Sequence, residues 1–257
     1  MDLPKNAFKA ALRAGHTQIG LWCTIPDPTV AEMLGATGYD WMLLDTEHSP
    51  MDVLGTLPLL RALAPAPVSA VVRPASLDVV EIKKALDCGA RSLLIPYIQS
   101  AEEARAAVAA VRYPPAGIRG VAGMTRASGY GTIAGYHRRA GEEICLLLQV
   151  ETAEALGEIE AIAAVEGVDG IFVGPADLAA SLGHPGETGH PEVKAAVLDA
   201  IRRISAAGLP PGVLTLDQAF AAEAVEAGAR FVAVDLDLSL LQRGARARAA
   251  EWRARLG

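Results

Sequence analysis

The stretches LDCGARSLLI (residues 86–95) and VEAGARFVAV (residues 225–234) share one grammar: the end of a helical pattern, a glycine, and a short run of Leu, Ile, Val and Phe. A continuous apolar run after a glycine stop suits a strand buried on both faces of a parallel sheet. Working outward, similar runs occupy residues 19–25, 41–46, 69–73, 145–150, 170–173 and 212–214, and with those at 92–98 and 231–234 they make eight candidate strands. Helical patterns at 79–88, 101–111, 153–164, 191–207 and 218–227 separate them. Gly38, Gly89, Gly167, Gly208 and Gly228 stand where left-handed C′ caps belong. Eight units in 257 residues average about 32 each, the length of a βα unit. The expected fold class is therefore α/β, a single (β/α)8 TIM barrel over residues 1–257, with no linker to mark a second domain. An open doubly wound sheet is the competing arrangement, but no GxGxxG follows the first strand. The longest irregular stretch, 113–141, is rich in Gly and Arg and is expected to contain an active-site loop.

Composition narrows the function. With 51% hydrophobic and 21% charged residues the chain is not disordered, and a formal charge of -7 opposes nonspecific binding to nucleic acid or anionic membranes. Three scattered cysteines, Cys23, Cys88 and Cys145, give neither a disulfide framework nor a metal motif and point to a reducing, cytoplasmic setting. Charged residues interrupt the first sixteen positions, so no signal peptide is expected, and no run reaches the ~18 apolar residues of a membrane span.

In a barrel of this kind chemistry collects where the strands end. The first run ends near Trp22, the second in Asp45, Glu47 and His48, the third in Arg73, and the fifth in Gln149 and Glu151; Asp177 follows the sixth. Singly, the acids read as helix caps, His48 as a structural histidine, Arg73 as half of a loop salt bridge and Trp22 as core. Together on one rim, Glu151 and Asp177 suit oxygen ligation of Mg2+ or Mn2+, and Arg73 suits bidentate recognition of a carboxylate. Gly174 and Pro175 open a helix whose N–H groups at Ala176 and Asp177 favour an anion. None of the five lysines falls at a strand end, so an imine mechanism is not expected, and no GxSxG elbow or Gly-rich phosphate cradle occurs.

At these residues the sequence resembles the HpcH/HpaI aldolase family of metal-dependent (class II) pyruvate aldolases. The carriers are YDWMLLDTEHSP (39–50), VVRP (71–74), IKKALDCGARSLLIPYI (82–98), RYPPAGIRGV (112–121), LLQVET (147–152) and VEGVDGIFVGPADLAASLG (165–183). The resemblance implies reversible cleavage of a 4-hydroxy-2-oxo acid to an aldehyde and pyruvate, or a related 2-oxo acid such as hydroxypyruvate, through a metal-stabilised enolate. It implies Glu151 and Asp177 as ligands of Mg2+ or Mn2+, with Co2+ also suited. Arg73 would meet the keto or enolate oxygen beside Gln149, His48 oriented by Asp45 would be the acid/base, and Ala176 and Asp177 would hold the carboxylate. Trp22, Leu214 and the Arg119 loop would border the aldehyde pocket, with Asp87 arriving from a neighbouring subunit of a trimer or hexamer. Oxaloacetate decarboxylation, CoA-thioester cleavage and a noncatalytic barrel are the alternatives. Asp235 is expected to be a buried, paired acid.

Overall fold

The computed structural model describes residues 1–257. The chain runs α1 (Ala7–Arg13), β1 (Gln18–Cys23), α2 (Pro28–Gly35), β2 (Trp41–Asp45), α3 (Thr56–Leu63), β3 (Ser69–Arg73), α4 (Val79–Asp87), β4 (Ser92–Ile95) and α5 (Ala101–Val111). It continues α6 (Tyr136–Glu143), β5 (Cys145–Val150), α7 (Ala153–Gly157), α8 (Ile159–Ala163), β6 (Gly170–Val173), α9 (Pro175–Ser181), α10 (Pro191–Ala206), β7 (Pro211–Leu214), α11 (Gln218–Ala227), β8 (Phe231–Leu236) and α12 (Asp237–Leu256). The eight strands are parallel and close in sequence order into a barrel. No helix is long and apolar enough to cross a membrane.

Strand side chains alternate between two cores because successive Cβ atoms leave a strand on opposite faces. Inward positions, including Trp41 and Leu43 of β2, Val71 of β3, Leu94 of β4, Phe172 of β6 and Phe231 of β8, form with Phe8 and Leu12 of α1 a cluster of 12 buried residues. Outward positions pack beneath the helices in a cluster of 52. The floor of the barrel is sealed by α1. Its Phe8 ring lies 5.8 Å from Trp41 and 5.9 Å from Phe231, and Asn6 caps the helix and ties it to Arg91, Ser92 and Glu143.

All five glycines read as C′ caps carry positive φ, from 87° at Gly208 to 122° at Gly228. Several boundaries differ from the sequence reading. The single helix expected at 153–164 breaks in two, because Gly157 is a poor helix former and Glu158 leaves helical geometry at φ -104°, ψ 3°. β8 extends through Asp235 and Leu236, which pair with Leu21 and Trp22 after a register shift in β1. Asp235 is buried and paired with Arg243 of α12, as expected of a structural acid. The excursion at 113–135 corrects a larger expectation. It follows α5 and precedes β5, so it lies at the N-terminal face of the barrel, with Arg126 bonded to the carbonyls of Leu60 and Cys88. Within one chain it contributes no loop to the opposite rim.

Candidate active site

The inward alternation that fills the barrel continues one layer higher, but with polar side chains. Trp22, Asp45, Arg73 and Gln149 share the parity of Leu43, Val71 and Leu147, and all four are buried. Asp45 and Arg73 are register partners across β2 and β3. Arg73 donates through Nε and Nη2 to the two oxygens of Asp45 at 2.9 and 2.7 Å, a bidentate pair. Trp22 donates its indole N–H to Asp45 Oδ2 at 3.2 Å and stacks under the guanidinium, whose Cζ lies 4.7 Å from the ring centre. Burial pushes the Asp45 carboxyl up, but the hydrogen bonds and charge of Arg73 outweigh it and hold it below the usual range.

This arrangement corrects the assigned partner of His48. Both oxygens of Asp45 are taken by Arg73, Trp22 and the backbone N–H of Glu47, and Asp45 meets His48 only through a long 3.4 Å contact to the backbone N–H. The imidazole faces Glu47 instead, with Nε2 3.7 Å from Glu47 Oε1, and its side chain is 63% exposed. Glu47 Oε2 lies 2.7 Å from Arg73 Nη1 as an ion pair without hydrogen-bond alignment. Burial raises the Glu47 carboxyl; Arg73 opposes the rise, while the charges of Asp45 and Asp177 add to it. Glu47 was visible in the sequence, but the spacing of DTEH did not say which acid turns toward the ring.

Across the mouth, Glu151 follows β5 and is buried. Its Oε1 accepts from the N–H of Tyr97 at 2.9 Å and its Oε2 from the Gln149 amide. Burial pushes the Glu151 carboxyl up to about 7; the Gln149 hydrogen bond opposes the rise, and the charges of Glu47 and Asp177 add to it. Asp177 stands exposed in the first turn of α9, where Gly174 and Pro175 begin the helix without a side-chain cap and leave the Ala176 and Asp177 N–H groups facing outward. Gly174 is required here for space: a Cβ would lie 2.4 Å from Glu151 Oε2 and 3.0 Å from the Gln149 amide nitrogen. A buried, electrically uncompensated carboxylate beside two further acids, with the Oε1 of Gln149 also buried and unpartnered, fits a hard divalent cation held by oxygen. A second donor group, His184, His190 and Glu192, fits poorly. Its imidazoles stack at 3.6 Å, His190 Nδ1 is spent capping α10, and His184 Nε2 is spent on Glu192.

Leu214 is partly buried at the end of β7 and packs against the inner cluster. Asp87 and Arg119 do not join these residues within the chain. Arg119 is fully buried and pairs with Asp87 at 2.7 Å at the far end of the barrel, where α4 ends. Two of its nitrogens, Nε and Nη1, have no partner.

A family model described as HpcH/HpaI aldolase/citrate lyase matches residues 18–243. The chain is 60% identical over 252 residues to a hydroxypyruvate/pyruvate aldolase of Sagittula stellata, covering 98% of this chain and 100% of that protein. It is 59% identical over 252 residues to a pyruvate aldolase of Rhizobium etli, covering 98% and 99%. Among solved structures, an HpcH/HpaI aldolase/citrate lyase family protein from Burkholderia cenocepacia superposes with a TM-score of 0.93 at 40% identity, covering 97% of this chain and 100% of that one.

Proposed function

The chain belongs to the HpcH/HpaI aldolase/citrate lyase family, and from that premise we propose that it is a carbon–carbon lyase, a divalent-metal-dependent aldolase. It reversibly cleaves 4-hydroxy-2-oxo acids to an aldehyde and pyruvate, or a related 2-oxo acid such as hydroxypyruvate. The observation that carries this reading is the buried Glu151 carboxylate, held by Tyr97 and Gln149 and raised by burial and by the charges of Glu47 and Asp177, on the rim that also carries the Arg73–Asp45 pair. Glu151 and Asp177 are the proposed ligands of Mg2+ or Mn2+. When bound, the dication supplies Lewis-acid stabilisation of the negative charge that develops on the 2-oxo group.

The rest falls to the chain's own residues. Cleavage requires a base to take the C4 hydroxyl proton as the C3–C4 electrons pass toward the 2-oxo group, and a proton to reach C3 afterwards. His48 is the proposed carrier, since its exposed ring opens to solvent and Glu47 lies beside it. Arg73 spends its Nε–H and one Nη2–H on Asp45, and Nη1 pairs with Glu47 without an aligned hydrogen bond, so donor capacity on Nη1 and Nη2 remains for the keto or enolate oxygen. The N–H groups of Ala176 and Asp177 face the substrate carboxylate, with Gln149 at its side, and Trp22 and Leu214 border the aldehyde.

The test is pyruvate release from 4-hydroxy-2-oxo acids by chelator-stripped protein, coupled to lactate dehydrogenase, with exchange of pyruvate methyl protons in D2O measured in parallel. Both should return with Mg2+ or Mn2+; their absence with every ion would overturn the assignment. His48→Ala should keep the ion and lose about 10²-fold or more in release, and near-wild-type release across pH would remove His48 from the mechanism.

The chain is further proposed to act as one barrel domain in a cytoplasmic homo-oligomer, a trimer or hexamer. Of the 20 residues of α12 only Asp237 is buried, and Leu241, Trp252 and Leu256 lie exposed along a helix that a second copy would cover. Asp87 and Arg119, remote from their own rim, would serve a neighbour's site. Light scattering is expected to give a mass of three or six chains, and a stable monomer would overturn this assembly.

A further inference from the structure

At the end of β4 the chain turns through Pro96 and Tyr97, and Tyr97 has φ 56°. That left-handed conformation is costly for any residue with a Cβ and suits glycine. Burial does not explain it, because Tyr97 is 55% exposed. The backbone geometry does. Two successive N–H groups turn toward β5: Tyr97 donates to Glu151 Oε1 at 2.9 Å and Ile98 donates to the Gln149 carbonyl at 2.9 Å. Pro96 has no N–H to offer, so Tyr97 is the first residue after the strand that can reach Glu151.

We propose that Tyr97 is a positioning residue that acts through its backbone, its left-handed turn aiming one N–H to fix the rotamer of Glu151 and leave the carboxylate's remaining lone pairs facing the cation. The inference rests on the reading of Glu151 as a metal ligand. Oε1 is held by Tyr97 and Oε2 by Gln149, so the carboxylate plane is set from both ends before an ion arrives. Outer hydrogen bonds of this kind orient ligands and raise metal affinity. The side chain at 97 matters to the site only through the φ it permits.

Three variants separate backbone from ring. Tyr97→Gly, which adopts φ 56° without strain, should bind Mn2+ within about twofold of wild type, whereas β-branched Tyr97→Val should bind about tenfold or more weakly. Wild-type affinity in the Val variant, or equal loss in both, would overturn the proposal. Amide exchange on the metal-free protein supplies an arm that needs no change at 97. In Glu151→Ala the Tyr97 N–H should lose about tenfold in protection, the worth of one bond to a charged acceptor, while Ile98 keeps its own. Unchanged Tyr97 protection would overturn the positioning role. Unchanged Mn2+ affinity in Glu151→Ala would instead overturn the ligand assignment, so the two failures are told apart.

Discussion

Glu151→Gln is expected to make the metal-free protein more stable at pH 8 while removing its affinity for divalent ions. The folded chain raises this carboxyl from its ordinary 4.5 to about 7, burial being the largest cause. A raised pKa means that the folded state holds the proton more tightly than the unfolded chain does. Its contribution to stability is therefore complete below about pH 4.5 and lost as pH climbs through about 7. The shift corresponds to about 3 kcal/mol of cost for the ionised, metal-free form. Glutamine keeps the shape and carries no charge to desolvate. Denaturant unfolding in the presence of chelator should show the variant ahead of wild type at pH 8 by an amount approaching that figure, and level with it near pH 5. Calorimetry should show no Mn2+ binding, and turnover should vanish. A variant less stable than wild type at pH 8, or one that still binds Mn2+ normally, would contradict the assignment. For wild type the same shift implies that protons compete with the ion as pH falls below about 7.

Arg73→Met is expected to cost stability and rate together. Arg73 is 5% exposed and Asp45 1%, so removing the guanidinium leaves a buried carboxylate with only an indole and two backbone N–H groups, one of them long. Breaking a buried pair from one side typically costs about 3–5 kcal/mol. Asp45 now sits below the usual range, so its contribution is present above its ordinary pKa and lost as pH falls through the depressed folded value. Without Arg73 the direction reverses, and the variant should gain relative stability as pH drops and Asp45 takes a proton. Arg73→Lys should fall between, since a single ammonium cannot reproduce the two parallel bonds. The double variant Asp45→Asn with Arg73→Met separates the roles. Unfolding should recover much of the lost stability, while kcat stays about 10²–10³-fold down, the worth of one oxyanion donor. Recovery of both together would show that Arg73 acts only on the fold.

The barrel was legible because its strands are apolar runs spaced at one unit length. Strand ends were less legible where hydrogen bonding outlasts hydrophobicity: β8 runs on through Asp235 because Leu21 and Trp22 supply partners across a bulge that side-chain type does not announce. In the site, Asp45, Arg73, Gln149 and Glu151 were readable as polar breaks in apolar runs. The partner of His48 was not, because Asp45 has one carboxylate and Arg73 claims it from the next strand. The 113–141 stretch was read as containing an active-site loop from its Gly and Arg content; its position between α5 and β5, an αβ connection, puts it and Arg119 at the opposite face of their own barrel. Tyr97 left no trace in the sequence, since its contribution is a dihedral angle and an N–H.

The rim gathers Asp45, Glu47, Glu151 and Asp177 around a single guanidinium, and their charges push on one another. A 2-oxo acid is itself an anion, so without the proposed dication this mouth would repel it. A dication bound there would offset most of that charge and offer the oxo acid a positive partner, so the expected loading order is cation first, oxo acid second. Pyruvate is then expected to bind stripped protein weakly, and high pyruvate to slow the metal's departure.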